Sequence, residues 1–280
     1  MSIWEAMVLG IVQGITEFLP VSSSGHLVLL QKIFGITEPA LLFDTAVHGG
    51  TLVAVLVVLR SDILNILRRI IQPLTLYLIV ATIPAVIAAL LFRDTIENAF
   101  ASASLLGFAF LVTSALLLVS DLYCRRGAKP GGLPARLDAP PPMRTQDEMN
   151  LIDALLIGIF QAVAIIPGIS RSGATISGAL FRKIDRDFAA RFSFLLSIPA
   201  ILGALILQLK DIVKTDSVSM DTIGLVPIIT GTVCACIVAF FSISFTLKIV
   251  REHSLRGFAL YTGILGLIVL LDKFVTGFFF

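Results

Sequence analysis

Eight apolar runs constrain the fold of this chain more than any other feature. They fall at about residues 3–19, 42–59, 74–92, 104–120, 151–166, 192–209, 223–247 and 257–271, and most are bounded by charges, proline or glycine. Runs near twenty residues match the length at which a helix crosses the hydrocarbon core of a bilayer. Only 14% of the residues are charged and 57% are hydrophobic, whereas a soluble domain carries about a quarter charged residues. The chain therefore reads as an all-α polytopic membrane protein. No Lys or Arg precedes Lys32, so the first run lacks the basic start of a cleavable signal peptide and is expected to stay in the mature protein. No basic patch suited to nucleic acid is visible. Cys234 and Cys236 lie inside an apolar run and Cys124 borders a polar segment, so the three cysteines form no disulfide framework.

The chain is one unit written twice. The polar segment 124–150 holds five of the twelve prolines and reads as a flexible or extended linker between residues 1–123 and 151–280. A shift of 148 residues lays GIVQGITEFLPVSSSG (10–25) over GIFQAVAIIPGISRSG (158–173), matching Gly10 to Gly158, Gln13 to Gln161, Ser22 to Ser170, Ser24 to Ser172 and Gly25 to Gly173. Near the ends the shift is 150, with SLLGFA (104–109) over SLRGFA (254–259), the drift that small loop insertions produce.

Each unit opens with an apolar stretch that carries a polar residue, then a proline, then an S-x-S-G bend. Irregular backbone at membrane depth is tolerated only where protein or a wet cavity surrounds it, so the stretches 3–35 and 151–186 are expected to be re-entrant helical hairpins. Three transmembrane helices follow in each half, near 43–59, 74–92 and 104–122, then 192–209, 225–247 and 257–271. Three is odd, so the second unit enters the bilayer inverted. The basic residues agree. The loops 60–73, 123–150, 182–191 and 248–256 hold fifteen Lys and Arg, whereas the opposite side holds five: Lys32, Arg93, Lys210, Lys214 and Lys273. That bias puts the first group in the cytoplasm and both termini outside. The hairpin tips then approach each other within the bilayer.

The second tip, PGISRSGAT (167–175), offers the chemistry of an anion cradle. Ser170, Ser172 and Gly173 open a helix whose first N–H groups have no partner within the helix. Arg171 adds a planar fork of donors and Thr175 another hydroxyl. The bland reading is that Ser170 caps a helix and Arg171 reaches for the membrane surface. Against it, Arg171 follows a long apolar run, where an intramembrane charge costs at least ~2.5–3.5 kcal/mol. The first tip, LPVSSSGH (19–26), repeats the cradle through Ser22, Ser24 and Gly25, but has Ser23 where the second has Arg171 and His26 where the second has Ala174. Gln13 and Glu17 share a helix face four residues apart, and Ser23 and His26 share one three apart. A hydroxyl near an imidazole has the composition of an activated nucleophile, with a carboxylate to orient the base or hold a metal. Alone, Ser-x-x-His is more often structural; joined to the second tip by the repeat, it is a site. Asp44 reads as a helix cap, His48 as a packing residue, Asp94 and Glu97 as loop charges, and the charges of 182–191 as a rim facing anionic lipid.

With QGITE (13–17) in the pattern [E/Q]-x-x-x-E, LPVSSSGH (19–26) and PGISRSGAT (167–175), the sequence resembles the bacterial undecaprenyl-diphosphate phosphatases linked to bacitracin resistance, through nearly its whole length apart from the linker. Gln13 departs from the pattern, since some members carry a glutamate there. The resemblance implies hydrolysis of an isoprenyl diphosphate lipid to its monophosphate and inorganic phosphate in the bacterial inner membrane. It also implies a divalent cation, Mg or Ca, which rests here on Glu17. Arg171 would clamp the diphosphate and Ser23 attack it, with His26 exchanging the proton of Ser23 and Glu17 orienting His26 or ligating the cation; attack by a metal-activated water stays open. Gln13, Ser22, Ser24, Gly25, Ser170, Ser172, Gly173 and Thr175 would line the substrate. The rival class is a transporter or flippase of the same lipid. Alternating access needs two exchangeable halves, whereas here one half carries the carboxylate, hydroxyl and imidazole and the other the cation. Oligomeric state and chain-length preference leave no trace in the sequence.

Overall fold

The computed structural model describes residues 1–36, 41–92, 95, 105–125, 143–214 and 224–278. Asp94, Glu97, Arg93 and most of the expected linker (126–142) lie outside them. Eleven helices account for most of the described residues: α1 (Ile3–Thr16), α2 (Ser23–Ile33), α3 (Leu41–Val58), α4 (Arg60–Arg68), α5 (Pro73–Leu91), α6 (Leu106–Arg125), α7 (Leu151–Val163), α8 (Arg171–Phe181), α9 (Arg186–Lys214), α10 (Leu225–Glu252) and α11 (Arg256–Leu271). Among the described residues the only β-pairing is an isolated bridge between Arg144 and Ile184.

Six of these helices, α3, α5, α6, α9, α10 and α11, are long and apolar enough to cross a membrane. Helices α1 and α7, of 14 and 13 residues, are apolar but fall short. At 1.5 Å per residue they reach roughly 20 Å, against a hydrocarbon core of about 30 Å. Each begins at a capping box, with Ser2 and Glu5 at α1 and Asn150 and Asp153 at α7, positions that the 148-residue shift superimposes. Each ends before its tip and packs against the helix that follows, α2 or α8.

The two halves interlock. Helix α1 packs along α10 of the other half, and α7 packs along α5. The crossings are close because they are made on small residues. A Cβ added at Gly10 would lie 2.2 Å from the Gly231 carbonyl oxygen, and one at Gly158 would lie 2.5 Å from that of Ala81. The repeat equates Gly10 with Gly158 and Gly231 with Ala81, so the same contact is made twice. Around these crossings lie separate packed layers, one centred on Ile157, Ile176, Leu180 and Phe192, another on Phe18, Val55, Phe194 and Ile243.

The basic loops fold differently from a simple rim. Arg182 and Arg144 both bind Asp153, and Arg186 and Arg256 bind Asp121, with both aspartates fully buried. A fully buried carboxylate is expensive unless paired, so these arginines complete the fold where a rim facing anionic lipid was expected. Arg191 pairs with Asp187 and lies 3.7 Å from Asp62. Cys124 is buried within α6. The stretch 60–73, read as a loop, contains α4, which buries none of its own residues.

Candidate functional site

The two tips meet. Pro20 and Gly173 come into contact range, with a Cβ at Gly173 falling 3.5 Å from the Pro20 side chain. The Ser172 hydroxyl donates to the Leu19 carbonyl at 2.9 Å, and the Gly168 amide donates to Ser24 Oγ at 3.4 Å. Ser22 and Ser170 cap α2 and α8 by accepting from Gly25 and Gly173. Their neighbours close the local turns, with Ser22 and Ser24 hydroxyls 3.4 Å apart and those of Ser170 and Ser172 3.2 Å apart. These hydroxyls, expected to line the substrate, hold the tips together and leave the reactive geometry to the groups between them.

At the centre is Glu17, the C-cap of α1 and nearly fully buried. Its Oε1 accepts from Arg171 Nη2 at 2.8 Å, an ion pair joining residues from opposite halves of the chain. Its Oε2 accepts from Ser23 Oγ at 2.6 Å and from Gln13 Nε2 at 3.0 Å. His48 Nε2, from α3, stands 3.6 Å from the same oxygen, while its Nδ1 lies 2.6 Å from the Asp44 carbonyl. Phe18, next in sequence to Glu17 and fully buried, packs edge-on against Phe194 of α9 at 5.2 Å.

Two polar atoms in this cluster are buried with no hydrogen-bond partner among the described residues: Arg171 Nη1 and Gln13 Oε1. One is a donor carrying positive charge, the other an acceptor. Orphaned groups of this kind are rare because burial without a partner costs about 1–3 kcal/mol, more when charged.

The structure departs from the sequence-based site at three points. His26 does not face Ser23. Its Nδ1 lies 2.6 Å from the Ser22 carbonyl and its Nε2 lies 2.7 Å from the Tyr261 hydroxyl of α11. Thr175 turns into the protein, bonded to the Arg171 carbonyl and to Ser193 at 2.6 Å. His48, read as packing, sits beside Glu17, and Asp44 accepts from Gln31 at 2.7 Å behind it. Among the described residues no group of three or more His, Cys, Asp or Glu side chains is placed to hold a metal ion. The donors at hand are the Glu17 carboxylate and Gln13 Oε1. A hard cation such as Mg2+ is commonly bound through one or two carboxylates plus substrate phosphates, so this pair fits a cation shared with a diphosphate.

Fold and site together define a multi-pass membrane protein with a buried carboxylate, hydroxyl and guanidinium gathered between two broken helices. The chain belongs to the family described as bacitracin resistance protein BacA, whose family model matches residues 6–268. It is 44% identical over 270 residues to a protein of Carboxydothermus hydrogenoformans named undecaprenyl-diphosphatase, an alignment covering 96% of this chain and 97% of that one. A Bacillus cereus protein named undecaprenyl-diphosphatase 3 is 41% identical over the same shares. Undecaprenyl-diphosphatase of Halothermothrix orenii is 38% identical, covering 97% of this chain and 98% of that protein.

Proposed function

We propose that this protein hydrolyses undecaprenyl diphosphate to undecaprenyl phosphate and inorganic phosphate between its two hairpin tips. Hydrolysis returns the lipid carrier to cell-wall synthesis, and this recycling links the activity to the bacitracin resistance in the family's description. The observation that carries the reading to this chain's own residues is Arg171. One arm of its guanidinium is held by Glu17 and the other, Nη1, is buried with no partner among the described residues. A phosphate oxygen supplies what that arm lacks, and the planar fork suits it.

The terminal phosphate lies against Arg171 Nη1 and the N-terminus of α2, where backbone N–H groups and the helix dipole favour anionic charge. Ser23 Oγ attacks the terminal phosphorus while its proton passes to Glu17 Oε2, to which it already donates at 2.6 Å. The bond from phosphorus to the bridging oxygen breaks, and undecaprenyl phosphate leaves. Water then cleaves the phosphoserine, releasing inorganic phosphate and restoring Ser23. Arg171 and the helix ends stabilise the charge on the equatorial oxygens throughout. Glu17 thus takes the proton role that spacing had suggested for His26. Glu17 and Gln13 Oε1 would hold Mg2+ or Ca2+, which when bound neutralises charge on the phosphate oxygens.

The halves read as inverted repeats of one hairpin and three spanning helices each, in the bacterial inner membrane. Two observations support this: the paired crossings at Gly10 and Gly158, and the gathering of the basic segments at one end through Arg191 with Asp62, Arg186 with Asp121 and the His253 carbonyl, and Arg182 and Arg144 with Asp153. That end faces the cytoplasm on the positive-inside rule. Phosphate release from detergent-solubilised undecaprenyl diphosphate, with and without a chelator, tests the activity. Release that falls on chelation is expected; no release from the lipid diphosphate by folded protein overturns the reading.

A further inference from the structure

Ser22 occupies a backbone conformation that side-chain-bearing residues seldom adopt, with φ 73° and ψ 94°. Such strain persists only where surrounding contacts over-determine it. Here it turns the chain sharply enough that Ser23, the next residue, starts α2 with its hydroxyl on Glu17. The Ser22 carbonyl is fixed by two donors from one residue, the His26 amide at 3.3 Å and the His26 ring at 2.6 Å.

The ring contact dictates a tautomer. A carbonyl oxygen only accepts, so His26 Nδ1 carries the hydrogen. In a neutral imidazole Nε2 is then a bare acceptor. The atom 2.7 Å from Nε2 is the Tyr261 hydroxyl, which can donate. With the opposite tautomer, two lone pairs would face each other across the 2.6 Å between Nδ1 and the Ser22 carbonyl. The Tyr261 ring also lies nearly parallel to the imidazole, at 12° and 5.7 Å between centroids, and Phe110 meets its other side edge-on at 5.5 Å. The imidazole has no freedom to swing toward Ser23.

We propose that Tyr261 is a positioning residue for the reaction: by donating to Nε2 and stacking on the imidazole it holds His26 in the orientation that clamps the Ser22 carbonyl, and so holds Ser23 on Glu17. This rests on the reading of Ser23 and Glu17 as the reacting pair. Tyr261 belongs to the last helix of the second half, so the nucleophile of the first half is aimed by the second.

The test joins a spectrum to kinetics. In full-length protein labelled with 15N-histidine, the three histidines are assigned with His26→Asn. The wild type should show His26 with protonated Nδ1 and unprotonated Nε2, and Tyr261→Phe should keep that tautomer while moving the Nε2 resonance downfield, as an acceptor that has lost its donor does. Tyr261→Phe should lower kcat about ten- to a hundredfold, as small displacements at a reacting centre do, with KM little changed. His26→Asn, whose amide can still donate to the Ser22 carbonyl, should retain more activity than His26→Ala. A wild-type spectrum with a proton on Nε2, in neutral ring or imidazolium, overturns the proposal, and so does Tyr261→Phe with wild-type kcat. If Tyr261→Phe does not fold, the wild-type spectrum and the His26 pair decide. The tautomer is read without substrate, so its outcome stands apart from whether the protein releases phosphate.

Discussion

Exchanging Arg171 for lysine keeps the charge and removes the fork, which isolates what the guanidinium contributes. In the structure Nη2 donates to Glu17 at 2.8 Å and Nη1 is buried with no partner among the described residues. A lysine ammonium can keep the pair with Glu17, so no buried charge is left uncompensated and folded stability should match the wild type. It cannot hold Glu17 and a phosphate oxygen in one plane. The transition state then loses one charge-assisted contact in a dry site, a loss worth about 10²–10³ in rate, or ~2.7–4 kcal/mol. Because that contact strengthens as charge builds on the phosphoryl oxygens, kcat and kcat/KM should fall together. Steady-state phosphate release from the solubilised lipid diphosphate, beside a thermal unfolding curve in the same detergent, measures both sides. Arg171→Lys turning over at the wild-type rate would refute the argument and reduce Arg171 to a point charge balancing Glu17.

Glu17→Gln strips Arg171 of its counter-ion. Breaking a buried pair in this way costs about 3–5 kcal/mol, so both turnover and the unfolding temperature should drop, and a variant as stable as wild type would contradict the burial argument. Ser23→Ala removes the attacking oxygen but only one hydrogen bond of structure; turnover should fall by orders of magnitude with stability nearly intact, while near-normal rates would shift the attack to water. Gly158→Leu forces a side chain into the Ala81 carbonyl, and folded yield should collapse in detergent-resistant elution. A cysteine introduced at the exposed Ser61, in place of the buried Cys124, should escape an impermeant thiol reagent applied to intact cells; labelling from outside would reverse the orientation.

The six long apolar helices were legible because length and periodicity speak directly about helices, and the breaks before α2 and α8 because proline, serine and glycine inside an apolar run interrupt a helix. Glu17, Ser23 and Arg171 were legible because the repeat aligned two tips and exposed where they differ. His26 was misjudged for a physical reason: a three-residue spacing places two side chains on one helix face but does not choose their rotamers. The left-handed turn at Ser22 and a donor on a distant helix, the Tyr261 hydroxyl, decide that instead. His48 carried one readable hint, its position one turn after Asp44, but nothing local tied it to Glu17. Tyr261 lies in an unbroken apolar helix and no nearby motif marks it. The charges at 182–191 read as a rim facing anionic lipid because the partners of Arg182 and Arg186, Asp153 and Asp121, are remote or sit inside helices; ion pairs across a fold leave no spacing rule to read.

The crossing of α1 over α10 bears on how the molecule is made. Gly10 is synthesised 221 residues before Gly231, whose backbone it must touch. Until then the glycine face of α1 has nothing but lipid against it, and the carboxylate at its end has no guanidinium. The crossing of α1 with α10 and the pairing of Glu17 with Arg171 therefore form only after those later segments have been made. Long-range closure of this kind is slow and leaves half-made chains exposed. Premature termination after α6 should leave a protein for quality control to remove, not a smaller working unit.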